Sequence, residues 1–247
     1  VDLKTTVLIS SLFLFGVLEQ LFPFFAFEQN LSKRITTNIL LGLFNVAVTS
    51  VTTALLLKWV WQHPNPQGLF NGVESPWWVF GLAFVVLDFY MYWWHRVMHN
   101  TAIGWRFHHV HHTEQAMNVS TAYRFHTIEV LTSNISKIGL IWLCGIPPVC
   151  LLVYEACYSV ELIFHHSNWE LSYRLDRLLS YLIVTPNFHR LHHSEALRDS
   201  RSNYASFLSI WDQLFRSRRY PRQPKSIRLG LKEATKSELI NMLLLPF

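Results

Sequence analysis

Twelve of the thirteen histidines in this chain lie between positions 95 and 193, and their spacings recur. They read as His95-x3-His99, His108-x2-His111-His112 and His189-x2-His192-His193, with His126 and the pair His165-His166 between them. On a helix, residues three and four apart share a face, so each cluster is able to aim two or three imidazoles at one point. Iron and zinc both accept that ligand. The plainer reading is an ordinary core histidine with a satisfied hydrogen bond, and it suits His63, which stands alone in a Pro-rich loop. It fails for the three clusters, because imidazoles massed in apolar surroundings cost desolvation energy with nothing to collect them. A loose metal-uptake tract would be continuous and of low complexity. These clusters are dispersed and separately phased.

Such clusters need elements to hold them, and the rest of the chain is apolar. Of 247 residues, 51% are hydrophobic, 15% aromatic and only 15% charged, a balance that suits lipid better than water. A helix needs about 20 apolar residues to cross a bilayer core of about 30 Å. Residues 5–27 carry one charge, Glu19, and residues 35–57 carry none before the belt residues Trp59 and Trp61. Residues 77–94 run from Trp77-Trp78 to Trp93-Trp94 and hold only Asp88; aromatic pairs of this kind mark membrane interfaces. The fourth apolar region, 130–165, is interrupted at Gly145-Ile146-Pro147-Pro148, where a helix must break. A helical hairpin there returns the chain to the side it left, as a meeting of the histidines before and after it requires. The expected fold class is all-α, a membrane bundle of about three spans plus a helical hairpin. No linker, low-complexity tract or repeat divides the chain, so residues 1–247 are expected to form a single unit. Its parts are N-terminal spans over 1–84, a histidine-bearing region over 85–220 and a tail over 221–247.

Charge orients the bundle. Lys33, Arg34, the Arg-bearing loop 95–129 and the tail fall on one side, whereas loop 62–76 has no Lys or Arg. The histidine side is therefore expected to be cytoplasmic. The net charge is +5, and residues 166–247 hold thirteen Lys/Arg against seven Asp/Glu. A basic face against anionic headgroups fits a chain this apolar better than nucleic-acid binding does. Cys144, Cys150 and Cys157 sit in one apolar stretch with neither disulfide nor zinc spacing, so they read as buried small hydrophobes. The chain opens on Val1 rather than Met, as expected if a short leader precedes it. That apolar start lacks the cleavage site of a signal peptide and is expected to remain as a first span.

The boxes HxxxH, HxxHH and HxxHH stand intact and in order. Around them lie Asp88-x3-Tyr92-Trp93-x-His95-Arg96, Trp105-Arg106-Phe107-His108, Arg124-Phe125-His126-x2-Glu129 and His166-Ser167-Asn168. Further on come Thr185-Pro186-x2-His189-Arg190, Asn203-Tyr204 and Trp211-Asp212-x-Leu214-Phe215. With these motifs, over roughly residues 85–220, the chain resembles the fatty acid hydroxylase and sterol desaturase superfamily of integral-membrane di-iron enzymes. The resemblance implies a cytosolic helical cap holding two Fe ions, with zinc able to take their place in a purified sample. It implies the ligands His95, His99, His108, His111, His112, His189, His192 and His193, with His126 and His166 as further ones. His109 and His165 occupy positions where relatives often carry other polar residues and are set aside. Thr127 departs from the family, where Pro is common, which loosens the turn at His126.

The chemistry this implies is O2 activation and hydrogen abstraction from an unactivated C–H bond of a lipid, giving a hydroxyl or a double bond. Neutral imidazoles leave a metal most of its charge, so carboxylates that orient them are wanted nearby. Asp88 and Tyr92 share a helical face with the first box, and Glu129 and Glu161 neighbour further histidines; these four are the candidates, each alternatively an intramembrane group with a partner of its own. Lipid would enter sideways past Trp94, Trp105, Phe107 and Phe188, if these are not simply belt anchors. The chain has no Gly-x-Gly-x-x-Gly and no iron–sulfur Cys set, and His63-Pro64-Asn65-Pro66 lacks the glycines of a haem loop. Electrons would come from a separate reductase, small carrier or pterin. Arg216, Arg218, Arg219 and Arg222 would either dock an acidic carrier or face headgroups. Two rivals stand beside this reading. A zinc-dependent membrane hydrolase would show His-Glu-x-x-His and needs only three protein ligands. A metal-transport protein would place its ligands at mid-bilayer.

Overall fold

The computed structural model describes residues 3–27, 31–73, 77–232 and 238–247, and among them the regular structure is helical. The helices are α1 (Leu3–Leu21), α2 (Leu31–Gln62), α3 (Trp77–Asn100), α4 (Ala102–His112), α5 (Thr127–Cys144) and α6 (Pro148–His166). Then follow the short α7 (Tyr173–Leu179), α8 (Pro186–His192), α9 (Leu197–Ser200), α10 (Ile210–Leu214) and α11 (Leu239–Leu244). Three isolated bridges are the only β pairing among the described residues.

Three described helices are long and apolar enough to cross a membrane: α2, α3 and α6. Phe13 and Leu14 on α1, and Leu43, Val46, Val51 and Leu55 on α2, are each more than half exposed. A continuous apolar face of this kind is at home against acyl chains and not in water. The expected first span over 5–27 is shortened, since α1 ends at Leu21 and its apolar stretch Thr5–Leu21 is shorter than the other three. Pro23 forbids continuation. Segment 22–25 instead runs beside 167–170, with Phe24 N donating to Asn168 O at 2.7 Å and Glu170 N to Phe22 O at 2.8 Å. The hairpin forms at the interruption: Gly145 caps α5 at φ 70°, which a Cβ would strain, and Pro148 opens α6 at its first position.

The apolar core joins α3, α5 and α6. Val79, Ala83 and Leu87 pack with Ile138, Ile141, Cys150 and Tyr154. At the histidine end, α4 folds back on α3 through Thr101, whose side chain accepts from Gly104 N. A Cβ on Gly104 would lie 2.7 Å from Met98 Cα, so only glycine permits this turn. Arg34 also reaches this end, pairing with Glu114 at 2.9 Å. Loop 62–73 lies at the other end, where Asn65 donates to Leu143 O; residues 74–76 of the expected loop fall outside the described ones. His63 is exposed and stacks on Trp59, with Nδ1 donating to that residue's carbonyl. Cys150 is buried as expected, but Cys157 is exposed on the outer surface of α6.

Candidate metal centre

The histidines come from four helices and meet as two adjacent groups. His95 and His99 of α3, His108 and His112 of α4 and His192 of α8 form the first; His111, His166, His189 and His193 form the second. Within each group one ring nitrogen per residue lies within 4.8 Å of every other. Helical phase divides the boxes. His108 and His112 lie one turn apart on a face that meets α3, while His111 is rotated by about 100° from His112 and meets α6. The third box divides likewise, with His189 and His193 to one side and His192 to the other. The groups share a wall, since His112 and His193 stack at 4.3 Å with 14° between planes.

Main-chain carbonyls fix the ring orientations. Nδ1 of His95 donates to Tyr204 O at 2.9 Å, of His111 to Arg124 O at 3.2 Å, of His166 to Leu162 O at 2.7 Å and of His192 to Ser202 O at 2.7 Å. The Nδ1 of His108 lies 2.7 Å from Glu129 Oε1. With the proton on Nδ1, each Nε2 presents a lone pair inward. Yet Nε2 of His95 faces Nε2 of His108 at 3.1 Å, and Nε2 of His111 faces Nε2 of His166 at 3.1 Å. Lone pairs that converge this closely repel unless a cation stands between them. Two nitrogens each about 2.1 Å from one ion at right angles are about 3 Å apart. The buried Nε2 atoms of His99, His112 and His192 have no hydrogen-bond partner among the described residues, nor do Nδ1 of His189 and His193, whose Nε2 atoms converge at 3.1 Å. Burial also holds His111, His112, His189 and His193 well below the usual imidazole pKa and pushes His192 down to about 3. Neutral, inward-facing and unsatisfied imidazoles are a donor set suited to metal ions.

Nine of the ten expected ligands therefore come together, and His126 does not. Its Nδ1 caps α5 by accepting from Ile128 N at 3.1 Å, and its Nε2 faces Leu243 O at 3.2 Å. A residue at a helix start with both ring nitrogens engaged by backbone is turned away from the groups. His109 also lies apart, with Nδ1 on Trp105 O. His165, set aside from sequence, packs 4.3 Å from the His189 ring and lines the same cavity. Of the four orienting candidates, Glu129 reaches an imidazole directly. Glu161 stands 3.8 Å from His165 Nδ1. Asp88 instead accepts from Leu208 N and Trp211 Nε1, and Tyr92 bonds Ser217 and Arg96. Both tie α3 to the 204–217 segment, which then presents Tyr204 O to His95.

Several supports were not singled out from sequence. Asp212 accepts from Tyr204 N and Ala205 N at 2.8 and 2.9 Å, and burial raises its pKa to about 6. Asn203 holds φ 57° and donates to Phe188 O and Arg219 O, turning Ser202 O and Tyr204 O toward His192 and His95. Arg190, fully buried, donates to Ser167 O and Trp169 O and lies over the Phe24 ring. Each stands inside a quoted motif, so its presence was visible while its partner was not.

A cavity of about 220 Å³ opens beside the imidazoles, lined by His95, His108, His111, His166 and His189 at one end and by residues of α5 and α6 beyond. Trp94 lines it as expected. The other expected entry aromatics do not: Trp105 packs on His99 and His112, Phe107 on His126, and Phe188 is buried beside Tyr92.

The fold and site define a helical membrane protein with two buried polyhistidine groups able to hold metal ions. Residues 80–217 match the fatty acid hydroxylase family, and the chain belongs to that family. It is similar to human alkylglycerol monooxygenase, 32% identical over 64% of this chain and 34% of that protein. It is 33% identical to the ornithine lipid hydroxylase OlsE of Rhizobium tropici, over 67% of this chain and 49% of the relative. A very-long-chain aldehyde decarbonylase, GL1-4 of rice (Oryza sativa subsp. indica), is 28% identical over 52% of this chain and 22% of its own length. The chain thus spans half or less of each of these relatives. No solved structure matches it.

Proposed function

We propose that this chain is an O2-dependent oxidoreductase that hydroxylates or desaturates an unactivated C–H position of a lipid, using two Fe ions and electrons from a separate donor. The observation that carries the reading is the pair of adjacent groups, five and four buried imidazoles, each with converging ring nitrogens. A catalytic zinc needs about three protein ligands, fewer than either group supplies. The names of the human and Rhizobium relatives, a monooxygenase of alkylglycerols and a hydroxylase of a lipid, support the reaction class.

His95, His99, His108, His112 and His192 would hold one iron, and His111, His166, His189 and His193 the other. Bound there, the irons supply O2 activation and hydrogen abstraction. The protein's own contribution is orientation and exclusion. Carbonyls of Tyr204, Arg124, Leu162 and Ser202 keep the proton on Nδ1, and Glu129 adds negative charge beside His108. Trp105 and Tyr204 pack on the His99 ring and help shield the rings behind it from bulk water. The cavity admits a lipid portion to His108, His111 and His189 from the side of α5 and α6. Residues 1–247 act as one membrane unit, with the histidine end, which carries Arg34 and the basic tail, facing the cytoplasm.

The test is metal analysis of protein purified from iron-replete cells, together with oxidation of a membrane lipid extract by that protein and a reductant. Two irons per chain and an O2-dependent product one oxygen heavier or two hydrogens lighter are expected. One zinc per chain with lipid-independent hydrolysis would overturn the reading.

A further inference from the structure

The far end of the cavity holds an ion pair where an acyl-binding wall would be apolar. Lys137 Nζ lies 2.6 Å from Glu155 Oε1, joining α5 to α6, and both residues line the cavity that the imidazoles also line. Glu129, Ser133 and Lys137 follow one another at four-residue spacing on α5 and all line it. Lys137 is thus eight residues, about 12 Å of helix, from the carboxylate that holds His108. Lys137 sits ten residues into α5 and seven from its end, beside the candidate span α6. A charged pair set between apolar helices is costly and is a candidate for function.

The geometry points to a recognition site for a neutral oxygen function of the lipid, an ether, hydroxyl or ester, held by Lys137 and Glu155. Glu155 is the one hydrogen-bond partner the structure shows for Lys137 among the described residues, and an ammonium has three N–H donors. A hydrocarbon in the cavity would leave the others unmet. A carboxylate would bring a second negative charge to a pair that is already neutral, and an uncompensated charge in this setting is penalised. A neutral oxygen meets the spare donors and adds no charge. Resting on the reading that the cavity receives the lipid, this selects substrates that carry such an oxygen away from the carbon presented to the imidazoles, and disfavours plain hydrocarbons and free fatty acids.

The test is equilibrium binding, without turnover, of tritiated hexadecanol to the purified full chain in detergent at pH 8, with hexadecane and hexadecanoate as competitors. Hexadecanol is expected to bind about tenfold or more tighter than either, the worth of a hydrogen bond to a charged group. The double variant Lys137→Met/Glu155→Met replaces a part-buried pair by apolar residues of similar size, which proteins commonly tolerate. It is expected to lose that preference to within about twofold while remaining monodisperse. A wild type with no preference, or one favouring hexadecanoate, overturns the site even if the variant fails to fold. A folded double variant that keeps the preference shows the pair to be only a clip between helices. Because no oxidation is read, a chain without oxidase activity still returns the ranking, and the two readings fail separately.

Discussion

The two histidine groups share helices α4 and α8 yet meet the rest of the molecule differently. The first has five imidazoles and is backed by Trp105 and Tyr204, and only His95 and His108 of it reach the cavity. The second has four, and His111, His166 and His189 all line that cavity. One group therefore has five imidazoles and presents two of them to this cavity, the other has four and presents three to where a lipid would lie. The difference teaches that equal-looking boxes carry unequal burdens, because a four-ligand site has none to spare.

The largest effect should come from breaking the sparse group. His111→Ala is expected to leave one metal per chain and to cut lipid oxidation by more than about 100-fold, beyond the loss typical of an outer partner. His99→Ala leaves four imidazoles in the other group, so both metals should stay and activity should fall by about tenfold or less. Metal analysis beside turnover reads both, and equal metal loss in the two variants would erase the contrast. Next comes Glu129→Gln, which keeps the shape but removes the charge beside His108. It should weaken only the five-imidazole site, by about 10-fold in a chelator competition; weakening of both sites alike would mean that Glu129 serves the pair as a whole. The smallest effect is expected from His126→Ala. Metal content should not change, while loss of the α5 cap lowers stability by about 1 kcal/mol, seen as a modest drop in thermal midpoint. Loss of a metal from that variant would return His126 to the ligands.

How the comparison was readable in advance differs from residue to residue. The three boxes named eight of the nine imidazoles that meet, His166 being the ninth, because spacings of three and four put rings on one helical face whatever surrounds the helix. His126, expected among the ligands, caps α5 and joins neither group, and a cap and a ligand look alike when only the residue and its neighbours are known. His165 was set aside by likeness to relatives; its ring packs 4.3 Å from that of His189 but belongs to neither group. Asp88 shares the face of the first box, as periodicity indicated, yet its carboxylate is taken by Leu208 N and Trp211 Nε1 of a segment 120 residues on. Asp88 stood ahead of Glu129 as sequence; distance reverses the order.

The sequence by itself determined that the chain is apolar enough for a membrane, that it breaks at Gly145-Ile146-Pro147-Pro148, and that its histidines gather in phased boxes. Those are local matters of hydropathy, backbone allowance and helical period. Only the tertiary structure decided how the boxes divide between two groups, which carbonyls set the rings, and that Lys137 meets Glu155 along the same cavity. These depend on how α3, α4, α6 and α8 converge, and the 100° between neighbours such as His111 and His112 becomes a choice of group only when α3 stands on one side and α6 on the other.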